Sequence, residues 1–437
     1  MKSECLVICR GSRCGGTVMK KWVLSKNQVR IYGFCFFLVI FPILNVYKII
    51  LPLGDLIGIL IMPFLWCTTS RVCAIQPNKK KYIYFLIYVF LVLPGIVLCL
   101  NNIDLKNVLS KSIHLFLYFT YSLFLTKKHF EIHVFEKCMV AAGKVLAVIA
   151  VMQQLFYRLF DAESYFLLPF MKLNYSIGNY NDYVTYYHRM AKHSGYRASA
   201  FFLEPAHFSM FMLLVLLSVL LKPEKRKKDF FWIFILIASI FSSYSTGGLI
   251  GLAVCILYYI FLYHGKGINK FFKASLIVIG ICSVLAVIIC DSQLVSYVTG
   301  RILDIGNTAY DTSGNRRILR GFLVWSRLPI LNKIFGTGIG ELQQFIVEHK
   351  IMVLTDKSYS DEMNTIACLL CSYGIIGTFI YFRSILSNIK KGTVLQRGVV
   401  LLFCVYGLYT NFLYSAISVL YLIYIFTGNG EKNAVKG

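Results

Sequence analysis

Three ionisable side chains stand at the mouth of an apolar run. In YRASAFFLEPAHFSMFMLLVLL, residues 196–217, Arg197, Glu204 and His207 lead into an unbroken stretch of aliphatic and aromatic residues. Carboxylates and imidazoles are the groups that move protons near neutral pH, and a guanidinium offers phosphate a permanent charge and a fixed fork of donors. An ionisable group entering an apolar span is costly unless it faces a polar cavity, so three of them together point to a site. Glu204 also precedes Pro205, and a proline at the first helical position beside a carboxylate is an ordinary helix start. Glu204 is therefore divided between cap and catalytic carboxylate. His207, one turn on, reads as a supporting neighbour.

A second cluster lies in SGNRRILRGFLVWSR. On a helix beginning after Ser313, Arg316, Arg320 and Arg327 fall within about 40° of one another, and Ile318, Phe322 and Trp325 point the opposite way. The expectation is an amphipathic helix on a membrane surface, its guanidiniums turned to water or a cavity. Upstream of Glu204, the loop carries Tyr165, Tyr175, Tyr180, Tyr183, Tyr186, Tyr187 and Tyr196 beside His188, Arg189, His193 and Arg197. Tyrosines suit stacking on sugar rings and suit an aromatic belt at the headgroups equally well. The glycines of GTGIG, Gly336, Gly338 and Gly340, lack the preceding strand and the acidic ribose partner of a dinucleotide turn. They read as a tight turn letting backbone amides approach lipid or phosphate. Within the spans, Lys144 is placed to snorkel toward the cytoplasmic side, and Asp55 has no partner identifiable from the sequence.

These residues are carried by a chain that is 57% hydrophobic and 15% charged, with apolar runs about as long as a bilayer core is thick. The expected fold is an all-α polytopic membrane protein. Barrel strands would alternate in short segments, whereas these runs are apolar on every face, and a secreted soluble protein is excluded as well. The runs lie near residues 31–47, 49–67, 82–100, 109–125, 138–158, 200–221, 230–243, 247–263, 274–290, 363–382 and 398–427. The last is long enough for two spans turning near YTNF, which makes about 12 transmembrane helices, with about 11 if it forms one tilted span.

The net charge of +25 sits in short clusters between apolar runs and not along one face, so it reports topology and argues against a nucleic-acid partner. Lys and Arg gather before Ile31, in NKKK, in KPEKRKKD, in GKGINKFFK and between Arg383 and Arg397, which places these pieces in the cytoplasm. The long loops 159–199 and 291–362 then share the outer face. Residues 1–30 form a basic cytoplasmic tail without the apolar core of a signal peptide, with Met19 an alternative start; residues 31–427 form one transmembrane domain, and 428–437 a cytoplasmic tail. The 14 cysteines mostly sit in apolar runs, as small hydrophobes. Cys368 and Cys371 have metal-ligand spacing but no second ligand pair nearby, so no metal site is expected.

YRASAFFLEPAHFSMFM, SGNRRILRGFLVW, FGTGIGELQQF and DEMNTIACLLCSYGIIG occur in that order between residues 196 and 385. Together they resemble the O-antigen polymerase family, within the O-antigen polymerase and ligase superfamily. The resemblance implies a class C-like glycosyltransferase fold and a metal-independent, cofactor-free enzyme of the bacterial inner membrane with its site facing the periplasm. Its donor and acceptor are glycans on undecaprenyl pyrophosphate, and a chain-length regulator is a candidate partner besides the bilayer. Arg197 and Glu204 match the arginine and the Glu-Pro of the family's first motif, and Arg316 or Arg317 matches the arginine after its Gly turn. The arginines, with Arg189, Arg320 and His207, are thereby assigned to substrate. Ligase-like members often carry His-Asn entering the span that ends in Gly-Ile-Ile-Gly, but Met363 precedes Asn364 here. Asp361, Glu204 and His349 are then the candidates for the base, and polymerase is favoured over ligase. A lipid-linked oligosaccharide flippase is the rival of another class; it would keep its loops short and its charges central. A non-catalytic assembly partner would need neither the arginines nor Glu204.

Overall fold

Ser25 opens the first helix: its N–H donates to Gln28 Oε1 at 3.0 Å while the Gln28 N–H donates to Ser25 Oγ at 3.3 Å, a reciprocal cap that starts the helix ahead of the apolar run at Ile31. The computed structural model describes residues 25–69, 105–123, 129–174, 179–222, 224–262, 316–353, 362–387, 389 and 392–427. The expected spans at 82–100 and 274–290 lie outside the described residues, as do the C-terminal tail and most of the N-terminal one. The helices are α1 Lys26–Leu44, α2 Leu53–Thr69, α3 Leu105–Leu123, α4 Ile132–Phe160, α5 Tyr180–Ser194, α6 Pro205–Leu220, α7 Lys227–Ser242, α8 Thr246–Leu257, α9 Gly321–Arg327, α10 Ile330–Phe335, α11 Leu342–Glu348, α12 Thr365–Leu386, α13 Val394–Tyr409 and α14 Ile417–Thr427. Among the described residues there are no strands, only isolated bridges such as Tyr47 to Leu173. The fold is all-α.

Among the described residues two helices, over Asn27–Leu44 and Thr365–Leu386, are long and apolar enough to cross a membrane; α6, α8, α13 and α14 are shorter apolar helices. α6 is apolar all round, and every residue from Phe208 to Leu220 is buried. Such a helix belongs at the centre of a bundle, and α4, α7, α8, α13 and α14 surround it. On the outside, Phe36, Phe116, Leu159, Phe234, Phe379 and Leu408 are exposed. An apolar interior wrapped in an apolar exterior is the organisation of a bundle solvated by lipid. Residues 398–427 resolve into two helices, because Thr365 pins the turn between them: its Oγ1 donates to Thr410 O at 2.8 Å and accepts from the Phe412 N–H at 3.1 Å.

The two ends of the bundle differ as the charge pattern requires. At one end basic linkers meet: Lys222 Nζ pairs with Asp229 at 3.1 Å, Lys225 Nζ lies 4.9 Å from the Tyr259 ring, and Lys144 Nζ lies 4.8 Å from the Trp232 ring. Lys144 thus reaches the basic end, as expected of a snorkelling side chain. At the other end the loop after α4 folds back on the α1–α2 turn, where Lys48 N–H donates to Lys172 O at 2.9 Å and Asn174 N–H to Val46 O at 2.8 Å.

α12 is broken inside the bundle. Gly374 has φ 66° and ψ −174°, a backbone open to glycine and strained for other residues. The break releases carbonyls that lipid cannot satisfy, and the GTGIG turn takes them: Thr337 N–H donates to Cys371 O at 2.8 Å and Gly338 N–H to Ser372 O at 3.0 Å. These amides, expected to face lipid or phosphate, are consumed within the protein. Gly336 (φ 86°) sits so close that an added Cβ would overlap the Ser372 carbonyl.

Asn364 caps α12 and ties it to the arginine segment. Its Oδ1 accepts from the Ala367 N–H at 2.8 Å, and its Nδ2 donates to Arg317 O at 3.0 Å and Ile318 O at 3.1 Å. Asn364→Ala is expected to cost about 2–4 kcal/mol, since it strips a cap and leaves buried groups unpaired. Asn364→Asp, which keeps the acceptor and loses the donor, should fall between. Thermal unfolding of the detergent-solubilised variants checks the order.

Candidate functional site

At the loop-bearing end, a cavity of about 330 Å³ opens among α1, α2, α3, α6 and the α13–α14 turn; its wall includes Asn45, His114, Tyr118, Asn174, His207 and Asn411. His207 projects from the first turns of α6, with Nε2 3.4 Å from Ser415 Oγ on the facing turn. Among the described candidates drawn from the sequence, His207 alone lines this cavity.

The opposite wall holds a histidine set against a buried carboxylate. Asp55, in the first turn of α2, has no exposed side-chain surface (0%), and its Oδ2 lies 2.8 Å from Nε2 of His114, which is 16% exposed. Asn45 at the end of α1 completes the carboxylate's surroundings: its Nδ2 donates to Asp55 Oδ1 at 3.0 Å and its Oδ1 accepts from the Asp55 N–H at 2.9 Å. The His114 ring lies parallel to Tyr118, centroids 5.8 Å apart. An unpaired buried carboxylate would cost several kcal/mol, so this surround is what lets Asp55 sit inside an apolar bundle. The sequence shows Asp55 as isolated because His114 is far away in the chain. The available signal was the polar face that Lys111, His114 and Tyr118 share at i, i+3 and i+7.

Arg197 lies on an extended segment that runs along the end of α7. Ala198 N–H donates to Ser242 O at 3.0 Å, and Arg197 Nε, half-buried, donates to Ser243 O at 3.4 Å. Ser243 in turn meets α6 through Ser209, Oγ to Oγ at 2.8 Å. Buried Gln153, from the middle of α4, sets the segment's course by accepting from the Ala200 N–H at 2.9 Å and donating to Ser164 O at 2.8 Å. Sequence reasoning passed over Gln153. Glu204 is the N-cap residue of α6 with Pro205 at N1, yet its side chain makes no capping hydrogen bond. The carboxylate is half-buried and is not spent on the helix start.

The segment 159–199 is more ordered than a loop. Asn179 caps α5, accepting from the Asp182 N–H at 2.8 Å, and the tyrosines on its inner face pack together, Tyr183 against Tyr187 at 4.4 Å and Tyr165 against Tyr183 at 5.8 Å. Their hydroxyls are used internally, Tyr183 on Leu203 O at 2.6 Å and Tyr165 on Glu163 at 2.7 Å. Burial and Glu163 push the Tyr165 phenol up, and burial pushes that of Tyr196 up to about 12. These rings are chiefly the loop's own core. Arg189 stands exposed on α5, while its neighbour His188 pairs with Glu163 at 2.9 Å.

The arginine row does not form. Residues Arg316–Arg320 make a π-helical turn before α9, and the arginines at the two ends of α9 part company in burial. Arg320 is buried (2%) with Gly321 and Val324, whereas Arg317 and Arg327 are exposed and Arg327 donates to Met352 O. The helix packs on α12 and α11 through Val324, Leu328, Phe345 and Met363, and Phe322 and Trp325, expected on the membrane surface, are partly buried against the same cluster. The Arg316 side chain lies outside the described ones. His349 ends α11, exposed, its ring stacked 3.9 Å from Phe345, its Nδ1 3.1 Å from Phe345 O and away from the cavity lining. Asp361 lies outside the described residues.

No curated protein matches the chain. A family profile does, over residues 35–427, which takes in every helix from α2 to α14 and all the cavity walls. An apolar helical bundle matched over nearly its whole length places the protein: the chain belongs to the WcaD colanic acid polymerase family, a family of polysaccharide polymerases.

Proposed function

We propose that the chain extends a surface polysaccharide at the outer, periplasmic face of the bacterial inner membrane, moving a growing glycan from undecaprenyl pyrophosphate to the non-reducing end of a fresh lipid-linked repeat unit. About twelve spans would carry the site. The observation that supports it most is the cavity at the loop-bearing end, with the imidazoles of His114 and His207 in its wall. The transfer needs positive charge at the departing pyrophosphate and a proton acceptor at the incoming hydroxyl. Arg197 is assigned to the pyrophosphate, and Glu204 to orienting the acceptor hydroxyl or Arg197.

Because Glu204 makes no capping bond, Glu204→Gln should keep the melting temperature close to that of the wild type while shortening or abolishing the polymer on a gel. Normal polymer from that variant removes Glu204 from the site.

The reading is tested by deleting the gene and separating lipopolysaccharide and secreted glycan on gels. Loss of polymer with a single-repeat species retained supports a polymerase. A lost lipopolysaccharide ladder identifies O-antigen as the product, and a lost secreted polymer beside an intact ladder identifies an exopolysaccharide, as the family's name suggests. Bare core with no repeat at all points to a ligase or flippase and overturns the reading.

A further inference from the structure

We propose that His114, held by Asp55, is the base that accepts the proton of the acceptor hydroxyl. This assignment rests on the polymerase reading. Three observations carry it. His114 lines the cavity. Its Nε2 lies 2.8 Å from a carboxylate that is itself fully buried, a close contact outside hydrogen-bond alignment; the negative charge beside Nε2 favours the tautomer with Nε2–H, which leaves Nδ1 to take a proton. Finally, Tyr118 beneath the ring and Asn45 behind the carboxylate hold both partners in place.

The other candidates have less. His207 faces the same cavity but meets a serine hydroxyl at 3.4 Å and no carboxylate in that contact. Glu204 and His349 are absent from the lining. In the step, the acceptor oxygen forms a bond to the donor's anomeric carbon as its proton passes to His114 Nδ1. The bond from that carbon to the pyrophosphate oxygen breaks, and its electron pair leaves with undecaprenyl pyrophosphate. Asp55 then faces an imidazolium, which it stabilises, until the proton returns to water through the cavity. Asp55 is thus a positioning residue and His114 a catalytic one.

The test uses the full chain in lipid nanodiscs with lipid-linked repeat units extracted from the deletion strain. His114→Gln keeps a donor near the position of Nε2 for Asp55 and cannot take up a proton. It should lower kcat at least about 100-fold with KM and melting temperature held, the usual scale of a lost general base. Asp55→Asn should lower kcat less and leave KM alone. In His114→Ala, imidazole should restore turnover and pyrazole, of the same shape and far weaker as a base, should not; rescue by both would mark a packing role and overturn the proposal. If His114→Gln fails to fold, the imidazole and pyrazole arms and Asp55→Asn decide the question. Wild-type-like kcat in His114→Gln, with polymer forming normally, overturns the assignment and leaves the polymerase reading standing. Failure of the wild-type chain to form polymer defeats the reading itself.

Discussion

Gly374→Ala is expected to abolish the folded protein. The position has φ 66°, which costs an L-residue about 1–3 kcal/mol, and an added Cβ would overlap the Ile334 carbonyl, which is backbone and cannot swing aside. Relief requires the 334–338 turn to withdraw, and withdrawal breaks the bonds from Thr337 and Gly338 to Cys371 and Ser372. Each buried carbonyl so stranded costs about 1–3 kcal/mol, and with the backbone strain most of the resulting range lies above the roughly 4 kcal/mol that marks an exceptional substitution. Gly336→Ala meets the same wall from the other side. Gly33, around which a Cβ would find nothing within 4 Å, is the control: Gly33→Ala should melt like the wild type. The measurement is the yield of monodisperse protein and its melting temperature in detergent.

Arg197→Ala is expected to leave the fold and remove the activity. The side chain is tied by a long bond from Nε to Ser243 O, 3.4 Å, and the course of its segment is set by Gln153 and by Ala198 on Ser242, so truncation should change stability by less than about 1 kcal/mol. With Nε held by the backbone, the η nitrogens keep a fixed direction from which to meet a pyrophosphate. Loss of a preorganised charge at the leaving group lowers rates by about 100- to 1,000-fold. Arg197→Lys keeps the charge without the fork and should recover a part of this. Turnover of lipid-linked repeats in nanodiscs reads both. Wild-type turnover in Arg197→Ala would take Arg197 out of the site.

Much of the architecture was legible because apolar run length is a direct physical requirement of crossing a bilayer. α1, α4, α6, α7, α12 and the α13–α14 pair all lie where those runs lie. The same logic hides what interrupts a run. α12 reads as one continuous apolar stretch, and neither its break at Gly374 nor the plugging of that break by GTGIG is visible without the contact between residues far apart in the chain. α5 was concealed for a different reason: its Asn179 cap and Asp182 were present, but a tyrosine-rich helix with a polar outer face resembles a loop. The arginine row failed because tertiary packing, which spacing does not report, buries Arg320 while Arg327, two α-helical turns on, stays exposed.

The site was legible in part. Arg197, Glu204 and His207 stand at the end of the bundle where the loops gather, since residue type and apolar context together carry that information. The partnership of Asp55 with His114 does not lie within any motif. It follows from the first turn of α2 packing against the middle of α3 beside the cavity, and only the assembled fold brings the two side chains to 2.8 Å.

The central claim is that this chain joins lipid-linked repeat units, and one measurement tests it most directly. The purified wild-type protein in nanodiscs is given repeat units extracted from the deletion strain as its sole glycan, and the products are separated by size. The account predicts a ladder whose rungs differ by one repeat, with free undecaprenyl pyrophosphate released for every bond formed. Repeat units recovered unchanged from well-folded protein, or joined to lipid A core only when that acceptor is added, would contradict it.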